Sequence, residues 1–267
     1  MIKSKKEVIN KKIPQDIQIP NDYATYKQNI KYGSIEEIEY KSKNQTYKAQ
    51  VLLPVNYNPS ISYPTLYLLS GIGNNYEWIN IGHANWIIGN LGNEIIDLII
   101  VMPKILTNTN EDLQDKIKDY KDLEWKLPDL INKIEFSFNV LKGRENRSIA
   151  GLSMGGMSAL YLSYIFDKTP YAFETTGAIS PSATLFEWWL GGKEELAFSR
   201  QDNDYNFYLA TGTKDAILIQ GAKRYQQILK QSGFNSSFVT IENKGHDWTA
   251  FNPLFYTFLK FFFNRQK

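Results

Sequence analysis

Residues 65–69 read Thr-Leu-Tyr-Leu-Leu and residues 98–102 read Leu-Ile-Ile-Val-Met, with no charged residue in either run. Short, nearly continuous apolar runs predict strands buried on both faces, as in a sheet sandwiched between helices. Two earlier segments, 34–41 and 47–53, alternate instead and predict an antiparallel pair at the edge of that sheet. Further strands are expected at 147–150, 176–179, 206–210 and 237–241. Apolar positions at helical spacing lie between them, at 84–91, 123–141, 154–166, 216–231 and 249–263. Strands alternating with helices predict an α/β fold with about eight mostly parallel strands and helices on both faces. Segments 104–122 and 182–204 are expected as long loops, which in such a fold shape the site at the carboxyl edge of the sheet.

A chain of 267 residues with 43% hydrophobic and 22% charged residues supports one sizeable core, expected to span 31–267. Lys3, Lys5, Lys6, Lys11 and Lys12 crowd the start, so residues 1–30 are expected as a solvated, loosely ordered arm. The net charge of +2 is too small to argue for a nucleic-acid partner. The chain has no Cys, which excludes disulfides, thiolate catalysis and Cys-based metal sites. No apolar run has the length of a membrane span, and none near Met1 has the form of a signal peptide. A cytoplasmic protein is expected if Met1 is the native start, and a secreted one if a leader has been removed.

Candidate chemistry begins at Gly151-Leu152-Ser153-Met154-Gly155, a Gly-x-Ser-x-Gly string. With 17 glycines in the chain a bare match says little, but here an apolar strand runs into the motif and a helix runs out of it. A sharp strand-to-helix turn lifts a serine hydroxyl above the sheet, and flanking glycines remove the Cβ atoms that would clash. Ser153 is therefore the expected nucleophile. The general base must be one of two histidines. His83 precedes the serine, whereas His246 follows the last strand and precedes the last helix, the place and chain order expected of the base. The acid belongs in the loop after the preceding strand, where Asp215 stands. Asp202 and Asp204 come before that strand, and Asp247 adjoins the histidine too closely to reach its far nitrogen. Two backbone N–H groups should face a tetrahedral oxyanion. Met154, after the nucleophile, supplies one, and the loop Ser70-Gly71-Ile72-Gly73 supplies the other, with Ile72 preferred over Gly71.

These strings, with Glu77-Trp78, Ile99-Ile100-Val101-Met102-Pro103, Arg144 through Gly156 and Gly245-His246-Asp247-Trp248, resemble the esterase D group of α/β-hydrolases. The likeness is greatest to its carbohydrate-esterase branch of feruloyl and acetylxylan esterases, and it runs from about Pro54 into the last helix. The resemblance implies the same trio of Ser153, Asp215 and His246, the same hole from Ile72 and Met154, and acyl-enzyme chemistry without metal or organic cofactor. One departure stands out: Ser70-Gly71 replaces the His-Gly of many such esterases, a form also seen among S-formylglutathione hydrolases.

The function expected is hydrolysis of an ester joining ferulate, another hydroxycinnamate or acetate to plant cell-wall carbohydrate, with a small-molecule or oligosaccharide ester as partner. With 14% aromatic residues, rings are available to wall such a substrate. Trp78, Phe186, Trp188, Trp189 and Trp248 are the candidates. Alternatives are a short-chain carboxylesterase or thioesterase of the S-formylglutathione hydrolase type, an acyltransferase like the mycolyltransferases, and a non-catalytic binding module on the same scaffold.

Overall fold

The computed structural model describes residues 18–73, 75–108, 110, 112–182, 198 and 205–265. The alternating segments pair into a hairpin of β1 (Ile35–Ser42) and β2 (Gln45–Leu52), in register from Ile35 opposite Leu52 to Ser42 opposite Gln45. Its turn residues Lys43 and Asn44 have φ of 45° and 64°. Tight hairpins need such left-handed turn residues because their twist matches that of the strands.

The two apolar runs form β3 (Thr65–Leu69) and β4 (Ile99–Pro103), which with β5 (Arg147–Leu152) and β6 (Thr175–Ile179) make an interior in which every strand residue is buried. β7 (Asn206–Gly212) and β8 (Ser236–Ile241) complete the sheet in the order β1-β2-β4-β3-β5-β6-β7-β8. β2 meets β4 antiparallel, and all pairs from β4 to β8 are parallel. The fold is that of an α/β-hydrolase.

Seven α-helices lie among the described residues: α1 (Glu77–Asn80), α2 (Ala84–Leu91), α3 (Leu113–Lys121), α4 (Leu123–Ser137), α5 (Met154–Ile165), α6 (Ala216–Gln231) and α7 (Trp248–Phe262). The pleat divides the strand residues between two cores. Tyr67 and Leu69 of β3 pack with α3, α4, α5 and α6 residues such as Tyr120, Leu127, Met157 and Tyr225. Leu66 and Leu68 face the other way, toward Ile87 of α2 and Leu254, Phe255 and Phe258 of α7.

Two expectations are corrected here. Segment 104–122 is not one loop, because Leu113–Lys121 is helical. Asp112 caps that helix, accepting from the N–H groups of Gln114 and Asp115 at 2.9 and 3.0 Å. Leu113, Ile117 and Tyr120 are spaced for one helix face, but the other six residues are polar or charged and only Asp119 and Tyr120 are buried, so the segment reads as a solvated loop. The second concerns residues 18–30, expected in the loose arm. They are strapped across α2 and α7. Asn90 Nδ2 donates to the carbonyls of Asp22, Tyr23 and Thr25 at 3.3, 2.9 and 2.9 Å, and the Tyr23 ring meets Tyr256 edge-on at 5.5 Å. The lysines of the first twelve residues lie outside the described residues.

Candidate active site

β5 ends in the middle of the sheet, and its next residue, Ser153, turns sharply into α5 with φ 53° and ψ −121°. A non-glycine residue held there stores about 1–3 kcal/mol of strain, which the surrounding packing must hold. The Ser153 N–H donates to the Ile179 carbonyl of β6 at 2.9 Å, and its own carbonyl accepts from Met157 and Ser182, each at 3.1 Å. The glycines on either side are sterically required. A Cβ on Gly151 would fall 2.4 Å from the Gly155 backbone, and one on Gly155 would fall 2.4 Å from the Ser70 carbonyl.

The carboxyl ends of β7 and β8 bring the other two residues to the same place. Asp215 follows β7 and starts α6, with its backbone N–H donating to Gly212 O at 3.1 Å. His246 follows β8 and lies against the Phe251 ring, edge to face at 5.0 Å. Its Nδ1 is 2.8 Å from Asp215 Oδ2 and its Nε2 is 3.2 Å from Ser153 Oγ. Asp215 is 5% exposed and the His246 side chain 39%, so a buried carboxylate backs a histidine whose other edge is open to solvent.

The loop carrying Ile72 borders the serine. A Cβ on Gly71 would lie 3.4 Å from Ser153 Cβ and 2.6 Å from Leu152 Cδ1. Met154 is the first residue of α5, where backbone N–H groups have no partner within the helix. Met154 thus adjoins Ser153 in sequence, and the loop carrying Ile72 approaches the serine through Gly71.

The aromatic candidates fare differently. Trp78 is fully buried, donates from Nε1 to the Leu69 carbonyl at 2.9 Å, and packs on Trp248 and Phe255. It is core and cannot wall a substrate. A Trp followed by a helical stretch carries the same letters whether its ring points inward or outward, and only the tertiary fold decides. Trp248 is half-buried and lies over Gly82, where a Cβ would come 2.2 Å from its ring. Phe186, Trp188 and Trp189 lie outside the described residues. His83 stands at the start of α2, stacked on Trp86 at 4.0 Å. Asp247 caps α7 by accepting from the Thr249 N–H at 2.7 Å, and its carboxyl titrates below the usual aspartate range because Thr249 hydrogen-bonds it.

Residues without chemistry of their own also build the site, and sequence reasoning missed them. Lys214 N–H donates to Lys244 O, and Asn243 N–H to Thr213 Oγ1, both at 2.9 Å. These bonds tie the Asp215 loop to the His246 loop. Gly212 permits that approach, since a Cβ there would lie 2.2 Å from Lys244 O. A glycine closing a strand is the signal that could have found it.

Among the described residues no cluster of three or more His, Cys, Asp or Glu is arranged to hold a metal ion. Nor is any helix among them long and apolar enough to cross a membrane.

Comparison with known proteins decides the family, because residues 41–262 match the Esterase family model. The chain belongs to the Esterase family. It is a carboxylic ester hydrolase, as the family and its relatives have it. This esterase is 27% identical over 255 residues to an endo-1,4-beta-xylanase/feruloyl esterase of Xylanibacter ruminicola, which matches 87% of the chain. The chain spans about a third of that relative's length, 32%. A ferulic acid esterase of the anaerobic fungus Anaeromyces mucronatus superposes with a TM-score of 0.78 at 26% identity, over 91% of this esterase and 95% of the fungal chain. That fungal enzyme is also known with ferulic acid bound. An S-formylglutathione hydrolase of Staphylococcus aureus shares the fold, with a TM-score of 0.62 at 15% identity over 86% of this esterase and 96% of its own chain.

Proposed function

We propose that this esterase releases ferulate, another hydroxycinnamate or acetate from plant cell-wall carbohydrate esters, with Ser153 as nucleophile, His246 as base and Asp215 as acid. The reading rests chiefly on the two hydrogen bonds that run from Ser153 Oγ through both ring nitrogens of His246 to Asp215. Ser153 Oγ bonds to the ester carbonyl carbon as its proton passes to His246 Nε2. The carbonyl π electrons move to oxygen, and the amides of Ile72 and Met154 receive the oxyanion. When the carbonyl re-forms, the C–O bond to the sugar breaks and the imidazolium returns its proton to the departing alkoxide. Water then repeats the sequence on the acyl-serine, releasing the acid and restoring the hydroxyl. Asp215 holds one tautomer and stabilises the imidazolium without taking the proton.

The acyl and sugar preferences draw on the relatives, whose names include feruloyl esterases and a xylanase/feruloyl esterase. Trp248 supports them as a half-buried ring beside the base, able to wall a flat acyl group. A second reading, a thioesterase of the S-formylglutathione hydrolase type, draws on Ser70-Gly71 before Ile72. Rates on methyl ferulate, acetylated xylan and S-formylglutathione test the choice. The largest kcat/KM is expected on methyl ferulate or acetylated xylan, and a preference for S-formylglutathione would replace the first reading with the second.

A further inference from the structure

The loop Ser70-Gly71-Ile72-Gly73 has neither helix nor strand to hold it, yet an oxyanion donor must be fixed to within a fraction of an ångström. Its support comes from elsewhere in the chain. Tyr120, 1% exposed on α3, donates its hydroxyl proton to the Ser70 carbonyl at 2.8 Å. Burial, reinforced by the nearby Glu77 and Asp119 carboxylates, pushes the Tyr120 pKa well above its ordinary value, so the hydroxyl remains a donor across the working pH range.

On the far side of the loop, Asn75 makes two bonds with one backbone unit. Its Nδ2 donates to Leu106 O at 2.8 Å and its Oδ1 accepts from Leu106 N–H at 2.9 Å. The segment it grips is itself held by α3, because Asp119 accepts from the Thr107 N–H and Oγ1 at 2.6 and 2.9 Å. Asp119 in turn pairs with Lys126 of α4, which is buried to 2% exposure, at 3.3 Å. Glu77 closes the loop from within: a Cβ on Gly73 would meet its Oε1 at 2.6 Å, and one on Gly71 its Oε2 at 3.7 Å.

Two consecutive residues of α3 thus brace both ends of the loop that carries Ile72. We infer that α3 is a buttress for the oxyanion hole, with Tyr120 and Asn75 as positioning residues that set where the Ile72 amide points. This rests on the reading in which Ile72 faces the oxyanion. Both side chains are engaged with backbone, Tyr120 with Ser70 and Asn75 with Leu106, so their contribution is felt through the amide that meets the oxyanion, in the transition state.

The test is Tyr120→Phe, which removes one hydroxyl and keeps the ring, assayed on methyl ferulate beside the wild type. The expected result is a kcat lower by about 10- to 100-fold with KM within about twofold. Affinity for an arylboronic acid, which forms a tetrahedral adduct with the serine, should fall in parallel, while affinity for free ferulate should not. A Tyr120→Phe enzyme with wild-type kcat and boronate affinity overturns the inference, whatever its melting temperature. If Tyr120→Phe does not fold, Asn75→Ala carries the same split, and equal losses for ferulate and boronate would likewise overturn it. Ser153→Ala assayed in parallel separates the two levels: undiminished turnover there defeats the underlying reading rather than the role of the buttress.

Discussion

The backbone N–H of Lys214 donates to the carbonyl of Lys244 at 2.9 Å, so the loop bearing Asp215 and the loop bearing His246 form one hydrogen-bonded unit. Gly212 makes this possible by leaving no side chain between them. A Gly212→Ala change would set a Cβ 2.2 Å from Lys244 O, a backbone atom with no rotamer to escape into. The two loops must then part. A displacement near 1 Å in such a constellation costs on the order of 100-fold in rate, and kcat/KM on p-nitrophenyl acetate is the measurement. Wild-type turnover would show that the tie is not needed for alignment.

Ser153→Ala should reduce kcat by about 10⁴-fold or more, since a nucleophile removed from such a trio leaves only binding and oxyanion stabilisation. A fluorophosphonate probe should label the wild type and not the variant. Absence of labelling in the folded wild type would favour the binding-module alternative.

Asp215→Asn keeps the shape of a side chain that is 5% exposed and hydrogen-bonded to His246, but removes the charge that fixes the tautomer. A loss of about 10⁴-fold in kcat is expected, with little change in melting temperature. If the variant keeps more than a tenth of the activity, Asp215 is only a helix-start residue.

Asp247 lies next to the base in sequence, yet its carboxylate caps α7. Asp247→Ala should lower stability by about 1 kcal/mol, the usual worth of such a cap, read as a shift in the denaturant midpoint. The folded-state pKa is depressed by the Thr249 hydrogen bonds, so the carboxylate stabilises the fold above the ordinary aspartate range. That contribution is lost as pH falls through the lowered value. Wild type and variant should therefore converge in stability in acid, and a gap that widened there would contradict the capping role.

The sequence carried the sheet and the chemistry for different physical reasons. β3 and β4 are legible because burial on both faces leaves them nearly continuously apolar, whereas β5 and β6 open on Arg147-Ser148 and Thr175-Thr176 and are marked mainly by their place among the helices. Ser153 is legible because its strained turn demands glycines at fixed offsets, and His246 because only two histidines exist. α3 was hidden because six of its nine residues are polar or charged, which outweighs the helical spacing of Leu113, Ile117 and Tyr120. Trp78 misled for the opposite reason: aromaticity signals a large contact surface but not which side of the backbone receives it. Contacts spanning 31 or 50 residues, such as Asn75 with Leu106 and Tyr120 with Ser70, leave no local trace at all.

The sheet distributes the working residues unequally. Ser153 is anchored on β5, deep among buried strands, whereas His246 hangs from β8, an edge strand in which no residue is fully buried. Edge elements with little buried surface open at lower free energy than the interior. Mild heat or denaturant should therefore detach the histidine while the serine elbow keeps its shape. Turnover then becomes a gauge of one strand, falling at a denaturant concentration where circular dichroism still reports a folded protein.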